Sequence, residues 1–284
     1  YEVSDRPDFR RLIGAGAATT HAGRDHTVKV DVGGLRPGVQ WFYRFRAGQA
    51  VSPTGRGRTL PARGVEQVRL AVLSCASYPS GFFNVYRAVS ALDDLDAVIH
   101  LGDYIYEYGV DGFGGETGRR LGRDHLPPHE VVTLDDYRRR FAQYRSDPDL
   151  QAAHAQAAFI TVWDDHETAN NSWSGGAQNH QEETEGPWEA RRDAAIQAYF
   201  EWLPMRDPAS GQAASALNRV YDFGEVATLI AIETRLTGRS RPISASRDMI
   251  RHEDGTPDLR RFQDERVGDA VVTSADGAGL APAE

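Results

Sequence analysis

Four short polar segments of this sequence each come directly after a run of apolar residues, and their side chains are of types that bind metals or transfer protons. The residues concerned are Cys75, Asp103, the run Asp164-Asp165-His166, and Arg235. Thiolates, carboxylates and imidazoles bind metals, and a guanidinium binds carboxylate or phosphate. If each apolar run is a strand of one α/β sheet, the segments meet at its carboxyl edge, where such sheets bind ligands. The pattern therefore predicts one cleft for metal or anion chemistry, although each motif alone is common.

Two longer motifs strengthen this interpretation. Tyr106 follows Asp103 by three positions, so one turn of chain can bring the carboxylate and the phenol to one ion. Tyr104 alternates with Tyr106, and one of the two can simply pack in the core; the spacing favours Tyr106 as the ligand. Residues 163–171 contain three acids, one histidine and two amides, among them Asn170, directly after an apolar run. These motifs predict a metal site rather than isolated turn residues.

The composition excludes several function classes. The 284 residues include 32 basic and 41 acidic side chains, a net charge of −9. Since a sequence-independent hold on phosphate backbones needs a basic surface, we expect no stable nucleic acid complex. Lys29 is the only lysine, which excludes an ATP-binding P-loop, and Cys75 is the only cysteine, which excludes an intrachain disulfide. The longest apolar runs, such as residues 226–232, are much shorter than the roughly 20 residues of a transmembrane helix.

From residue 68 onward the hydrophobic pattern alternates between strand and helix. Residues 68–73 and 97–101 are apolar runs of strand length, and residues 83–92 have apolar positions at helical spacing, which is typical of a βαβ unit. This alternation predicts an α/β fold with helices on both faces of the sheet. The predicted elements that follow are a helix over 134–145, a strand over 159–163, a helix from 188 that stops before Pro204, and a fourth strand over 226–232.

The first 60 residues have a different pattern. Residues 26–32 alternate apolar and polar side chains, and residues 41–46 form a second β-rich run with aromatic residues. Residues 52–63 contain prolines and glycines without a periodic apolar pattern, which suits a linker. We therefore predict a small, partial all-β domain over residues 1–62 and an α/β domain over residues 66–284.

These motifs resemble the PhoD family of alkaline phosphatases and phosphodiesterases, a branch of the metallophosphoesterase superfamily. The resemblance runs over about residues 1–245, and W-D-D-H-E together with G-D-Y-I-Y-E is a specific combination. It implies a metallophosphoesterase-like sheet core flanked by helices, preceded by a partial fibronectin-like β-sandwich. The segments that carry it are residues 34–38, 43–45, 74–75, 100–107, 125–130, 136–138, 163–171 and 201–204.

The resemblance also implies a metal centre with Fe³⁺ and Ca²⁺, or another divalent ion such as Mn²⁺, Mg²⁺ or Zn²⁺ in place of calcium. His166 stands where the superfamily has a phosphate-contacting histidine, which implies a role in stabilising charge or protonating the leaving alkoxide. Arg235 can bind phosphate or form a structural ion pair, and the sequence leaves both open. The implied iron ligands are Cys75, Tyr106 and the bridging Asp103, and the implied ligands of the second ion are Asp164, Asp165 and Asn170.

The implied reaction is the hydrolysis of a small-molecule or lipid phosphate ester by metal-bound hydroxide. A phospholipase-D-like phosphodiesterase is an alternative within this chemistry. Another alternative is a truncated, catalytically silent fragment that binds metal or phosphate. The family completes its centre with residues beyond the fourth strand, yet His252 is the only histidine after His180. We therefore expect an α/β domain that is incomplete at its C-terminus.

The setting of the protein is also an expectation from the resemblance. We expect a monomer that is secreted or periplasmic and exported by the twin-arginine route, although this chain, which starts at Tyr1, contains no export signal.

Overall fold

The computed structural model describes residues 1–209, 211–212, 217–237, 239–242 and 249–262. The chain forms two compact units, residues 1–239 and residues 240–284. Within the second unit, strands Met249–Arg251 and Pro257–Phe262 pair antiparallel. No helix among the described residues is long and apolar enough to cross a membrane.

The N-terminal part of the first unit is an antiparallel sheet of four strands with the order β2-β1-β3-β6. A two-stranded hairpin, β4-β5, lies between β3 and β6 in the sequence. The predicted strand over 26–32 is wrong: Asp25 and His26 lie in a turn with positive φ angles, and residues 27–32 join no sheet. The six strands are β1 (Glu2–Ser4), β2 (Leu12–Ala15), β3 (Gln40–Arg44), β4 (Arg46–Ala47), β5 (Ala50–Val51) and β6 (Gly55–Arg58).

Three parallel strands in the order β7-β8-β9 form the central sheet. The βαβ unit predicted from residues 68–101 is confirmed, with α1 between the first two strands. Because the strands are parallel, their carboxyl ends lie at one edge, as the candidate site requires. The elements are β7 (Leu70–Leu73), α1 (Asn84–Ser90), β8 (Ala97–His100), α2 (Gly115–Leu121), α3 (Leu134–Arg145), α4 (Pro148–Gln156), β9 (Phe159–Thr161), α5 (Glu182–Glu185) and α6 (Trp188–Trp202).

The helices around this sheet begin where the sequence places their caps. Thr133 and Asp136 form a capping box at the start of α3, which spans the predicted residues. The side chain of Asp147 caps α4, and Pro148 occupies its first turn. Helix α6 ends at Trp202, before Pro204, as predicted.

The two faces of the central sheet are covered differently. Val98 of β8 belongs to the main core with residues of the helices, whereas Ala97 and Ile160 pack with Phe223 in a second, smaller core. Phe223 belongs to a hairpin of β10 (Arg219–Phe223) and β11 (Ala227–Ala231). The prediction that helices cover both faces was therefore wrong for the described residues.

The fourth predicted strand also pairs differently from the prediction. It is β11, and it pairs antiparallel with β10 in a separate two-stranded sheet. Val220 and Ile230 are opposite each other in the hairpin and remain 61% and 64% exposed. The apolar run 226–232 correctly predicts a strand, but it contains no signal for the strand with which it pairs.

The N-terminal sheet packs against the helices of the same unit. The guanidinium of Arg56, on β6, donates hydrogen bonds to the backbone carbonyls of Gln156, Leu92 and Asp93. Gln156 is the last residue of α4, where a helix has unsatisfied carbonyl acceptors, and Leu92 and Asp93 follow the end of α1. The contact joins β6 to the helical layer that supports the central sheet.

Candidate metal centre

The loops after β7 and β8 are bonded to each other at the carboxyl edge of the sheet. The amide of Cys75 donates to the carbonyl of Gly102 at 3.1 Å, and the amide of Ala76 donates to the carbonyl of Asp103 at 2.8 Å. Cys75 and Asp103 both have positive φ angles, of 60° and 53°. These left-handed conformations turn the chain sharply at the strand ends and are uncommon for residues other than glycine.

Gly102 allows the loop after β8 to meet the loop after β9. A Cβ atom at this position would lie 2.2 Å from the backbone nitrogen of Asp164, and the φ angle of Gly102 is 104°. Only glycine satisfies both the close approach and the conformation. The glycine of the G-D motif therefore brings Asp103 next to the segment that carries Asp164 and Asp165.

The carboxylate of Asp103 is the point on which the other side chains converge. The Cys75 thiol and the Tyr106 hydroxyl both donate to Oδ2 of Asp103, at 3.4 and 3.2 Å. Its second oxygen, Oδ1, is buried and has no hydrogen-bond partner among the described residues. An unpartnered buried carboxylate oxygen is costly unless something else satisfies it. This arrangement fits a cation.

The protonation of these groups in the metal-free chain fits the same interpretation. Although Cys75 is exposed as a residue, partial desolvation of its thiol and the Asp103 carboxylate raise the thiol pKa, and burial together with the same carboxylate raises the pKa of Tyr106. Without a cation, therefore, both groups hold their protons and donate them to Asp103. A bound metal ion reverses this tendency, because its charge favours thiolate and phenolate.

Asp165 and His166 complete a potential metal-binding group with Asp103. One potential ligand atom from each of these three residues lies within 4.8 Å of the other two. Asp103 and Asp165 are buried, and His166 is half-buried. Three of the predicted site residues, from two different strand ends, thus lie around one point.

Glu107 orients His166, a role that no local motif of the sequence indicates. The Nδ1–H of His166 donates to Oε2 of Glu107 at 2.7 Å, and the Glu107 carboxylate is fully buried. Its other oxygen accepts hydrogen bonds from the Asn170 backbone and the Asn179 side chain, at 2.7 and 3.0 Å. Burial lowers the pKa of His166, but the hydrogen bond and charge of Glu107 raise it to about 9. In the metal-free chain, Glu107 therefore favours the protonated imidazole.

The side chain of Glu167 links the backbone after β8 to the backbone after β9. Its buried carboxylate accepts hydrogen bonds from the backbone amides of Asp103, Tyr104 and Asp164, at 3.1, 2.6 and 2.8 Å. Burial and the nearby Asp103 charge raise the pKa of Glu167 to about 8, against the lowering effect of these donors. This side chain fixes the backbone of the metal-binding loops.

Arg235 forms ion pairs with the acids after β9. Its Nε donates to Oδ1 of Asp164, and its Nη2 lies 3.3 Å from Oδ1 of Asp165. Its Nη1 is buried without a hydrogen-bond partner among the described residues. Of the two roles that the sequence left open, the ion pair is present, and one nitrogen remains to bind a ligand.

Two residues considered in the sequence analysis, the predicted ligand Asn170 and the alternative phenol Tyr104, make contacts outside this group. The side-chain amide of Asn170 donates to Gln178 at 3.4 Å, and nothing in the structure shows it next to Asp103. Tyr104 is 1% exposed, and its hydroxyl bonds Nε2 of His154 at 2.9 Å. Tyr104 therefore packs in the core, and Tyr106 is the phenol that reaches Asp103, as the spacing favoured.

Comparisons with known proteins find two matching family models, a similar curated protein and a similar solved structure. A family model described as PhoD-like phosphatase matches residues 70–270, and the model of the PhoD-like phosphatase N-terminal domain matches residues 1–61. Alkaline phosphatase D of Bacillus subtilis (strain 168) is 38% identical over 238 residues, which are 83% of this chain and 40% of that protein. A solved structure of PhoD superposes with a TM-score of 0.73 at 36% identity, covering 83% of this chain and 44% of that one.

This chain thus spans about two fifths of the length of the curated relative that it matches. The resemblance stated from the motifs is confirmed, because the PhoD-like model alone covers more than half of the 284 residues. The chain belongs to the PhoD-like phosphatase family.

Proposed function

We propose that this chain hydrolyses phosphate esters at the site centred on Asp103. The observation that carries the proposal is the convergence of Cys75, Tyr106, Asp165 and His166 on this one carboxylate, which also has an unpartnered buried oxygen. A relative that is 38% identical over 238 residues bears the name alkaline phosphatase D. Both observations favour hydrolysis at a metal centre over a role limited to structure.

We propose that Cys75, Asp103 and Tyr106 hold Fe³⁺. Anionic sulfur and oxygen donors match a trivalent ion, and the close contacts of both side chains with Asp103 support this set. Bound there, the metals would supply positive charge to the phosphoryl oxygens and lower the pKa of water, so that hydroxide would be available as the nucleophile near neutral pH. For the second ion we propose Ca²⁺, or Mn²⁺, Mg²⁺ or Zn²⁺, with Asp164, Asp165 and Asn170 as its ligands.

His166 is the proposed proton donor of the site, and Arg235 is the proposed phosphate-binding residue. In the metal-free chain Glu107 favours the protonated form of His166 and occupies its Nδ1, so Nε2–H is the group that would protonate the leaving oxygen. Arg235 keeps Nη1 free to donate to a phosphoryl oxygen while its other nitrogens pair with Asp164 and Asp165.

Turnover of a phosphomonoester and a phosphodiester, measured with Fe³⁺ and Ca²⁺ supplied, tests the proposal. We expect the release of alcohol from at least one substrate, and its loss in Asp103→Asn. A phospholipid substrate tests the phospholipase-D-like alternative. Bound iron with a visible charge-transfer band but no turnover of any ester would identify the catalytically silent metal-binding fragment instead.

Further proposals concern the organisation and setting of the chain. We propose two domains over residues 1–62 and 66–284, of which the first is fibronectin-like, and a monomer that binds no nucleic acid. Analytical ultracentrifugation tests the monomer. We also propose a secreted or periplasmic protein exported by the twin-arginine route, and an Arg-Arg leader encoded upstream in the gene tests this.

A further inference from the structure

Phe113 is an exposed phenylalanine whose ring is connected to His166 of the candidate site through the ring of Tyr106. The ring of His166 stacks on the ring of Tyr106, with centroids 4.3 Å apart. Tyr106 in turn stacks on Phe113, with centroids 6.1 Å apart and an angle of 21° between the planes. Phe113 is 60% exposed. Phe113 is thus the exposed member of a group of contacting rings that includes His166.

Tyr108 is a second tyrosine in this group of rings. The ring centroid of Tyr108 lies 5.5 Å from that of His166 and 6.1 Å from that of Phe113. Phe113 thus contacts two rings that both lie against His166. Single exposed apolar residues are common and need no explanation. This one differs, because it belongs to a cluster that includes the proposed proton donor.

The backbone around Phe113 is held in place. The amide of Val110 donates to the carbonyl of Pro128 at 2.8 Å, and the amide of Gly115 donates to the carbonyl of Gly112 at 3.1 Å. A Cβ atom on Gly115 would lie 1.8 Å from the carbonyl oxygen of Val110, so the loop closes tightly on itself. An ordered loop that leaves a large ring exposed loses little entropy when that ring binds a ligand.

We propose that Phe113 forms a wall of a subsite for an aromatic group esterified to the phosphate. The inference rests on the proposed function, since His166 places the phosphate beside this group of rings. Aromatic rings pair favourably with other rings beyond the area that they bury. The site would therefore prefer aryl phosphate esters over esters of small polar alcohols.

Ligand binding tests the subsite without any need for turnover. The ligands are inorganic phosphate, methylphosphonate and benzylphosphonate, in which a methylene group replaces the ester oxygen of phenyl phosphate. Their dissociation constants are measured by calorimetry on protein supplied with Fe³⁺ and Ca²⁺. We expect benzylphosphonate to bind about 3- to 10-fold more tightly than methylphosphonate. We expect Phe113→Ala to remove this preference and Phe113→Tyr to keep it.

Phe82→Ala is the matched control, because Phe82 is 57% exposed and its ring lies near Arg123. It should keep the preference. Equal binding of the two phosphonates, a preference that survives in Phe113→Ala, or an equal loss in Phe82→Ala would each overturn the subsite. If neither phosphate nor any phosphonate binds, the proposed function fails and the subsite with it. Phosphate binding without the preference refutes the subsite alone.

Discussion

Replacing Glu233 with glutamine changes one carboxylate that holds the loop after β11 in place. Glu233 is 6% exposed. Its Oε1 accepts hydrogen bonds from the Trp163 indole and from the backbone amides of Arg235 and Leu236, each at 2.7 Å. Its Oε2 accepts from the amide and the hydroxyl of Thr237. These five donors fix the loop from which Arg235 reaches Asp164 and Asp165.

The magnitude of the effect follows from these contacts. Glutamine keeps one acceptor oxygen for the three donors at Oε1, but its NH₂ group then faces the Thr237 amide, which loses its partner. Hydrogen bonds to charged groups contribute about 1.5–3 kcal/mol each, and an unsatisfied buried donor costs about 1–3 kcal/mol. We therefore expect Glu233→Gln to lower the free energy of unfolding by about 2–4 kcal/mol.

Urea unfolding at pH 7 measures this difference, and Glu225→Gln is the matched control. Glu225 is exposed, lies in the turn of the same hairpin and accepts one backbone hydrogen bond, from Gly64. Its replacement should change the free energy of unfolding by less than about 0.5 kcal/mol. If Glu233→Gln also changes the free energy of unfolding by less than about 0.5 kcal/mol, the Glu233 carboxylate does not hold the loop.

The pH dependence gives a second check on Glu233. Burial raises its pKa, but its hydrogen bonds, first from Thr237 and Trp163, lower it from an ordinary 4.5 to about 2. A depressed carboxyl pKa stabilises the fold fully above the unfolded value, and this stabilisation is lost as the pH falls towards 2. The stability gap between wild type and Glu233→Gln should therefore shrink between pH 5 and pH 2. A constant gap would contradict the assignment.

Three further variants test the rest of the site. His166→Ala should lower turnover by about 10²- to 10⁴-fold with unchanged metal content, and loss of the metals would instead make His166 a ligand. Glu107→Gln should lower the pKa of His166 from about 9 in the metal-free protein, as followed by NMR, because the carboxylate partner is removed; an unchanged pKa would refute the pairing. Gly102→Ala should cost more than about 2 kcal/mol and reduce metal binding, whereas Gly81→Ala, where a Cβ meets nothing within 4 Å, should cost less than about 1 kcal/mol.

The sequence predicted those parts of the fold that depend on neighbouring residues. Helix α3 could be predicted within its exact bounds because its capping box and hydrophobic spacing lie within one segment. The strand-end positions of Cys75 and Asp103 followed from the apolar runs before them. The hairpin β10-β11 was missed because a single apolar run does not show which strand it pairs with.

The contacts that organise the site were harder to predict because they join distant parts of the chain. Glu107 and His166 are 59 residues apart, and Arg235 and Asp164 are 71 residues apart. Both motifs that contain Glu107 and His166 were recognised, but their pairing needs the folded loops. The choice between Tyr104 and Tyr106 shows the opposite case, because the three-residue spacing from Asp103 is local and favoured the phenol that the structure brings to the carboxylate.

The iron and calcium content of Asp103→Asn, beside wild type and Asp93→Asn, tests the metal centre most directly. Asp93 is a matched control because its side chain is 96% exposed. Because asparagine cannot supply an anionic oxygen to the proposed metal ions, we expect Asp103→Asn to lose both metals, together with any visible band from the proposed iron site. Asp93→Asn should keep them. Wild-type metal content and colour in Asp103→Asn would show that the metal centre is not built on this carboxylate.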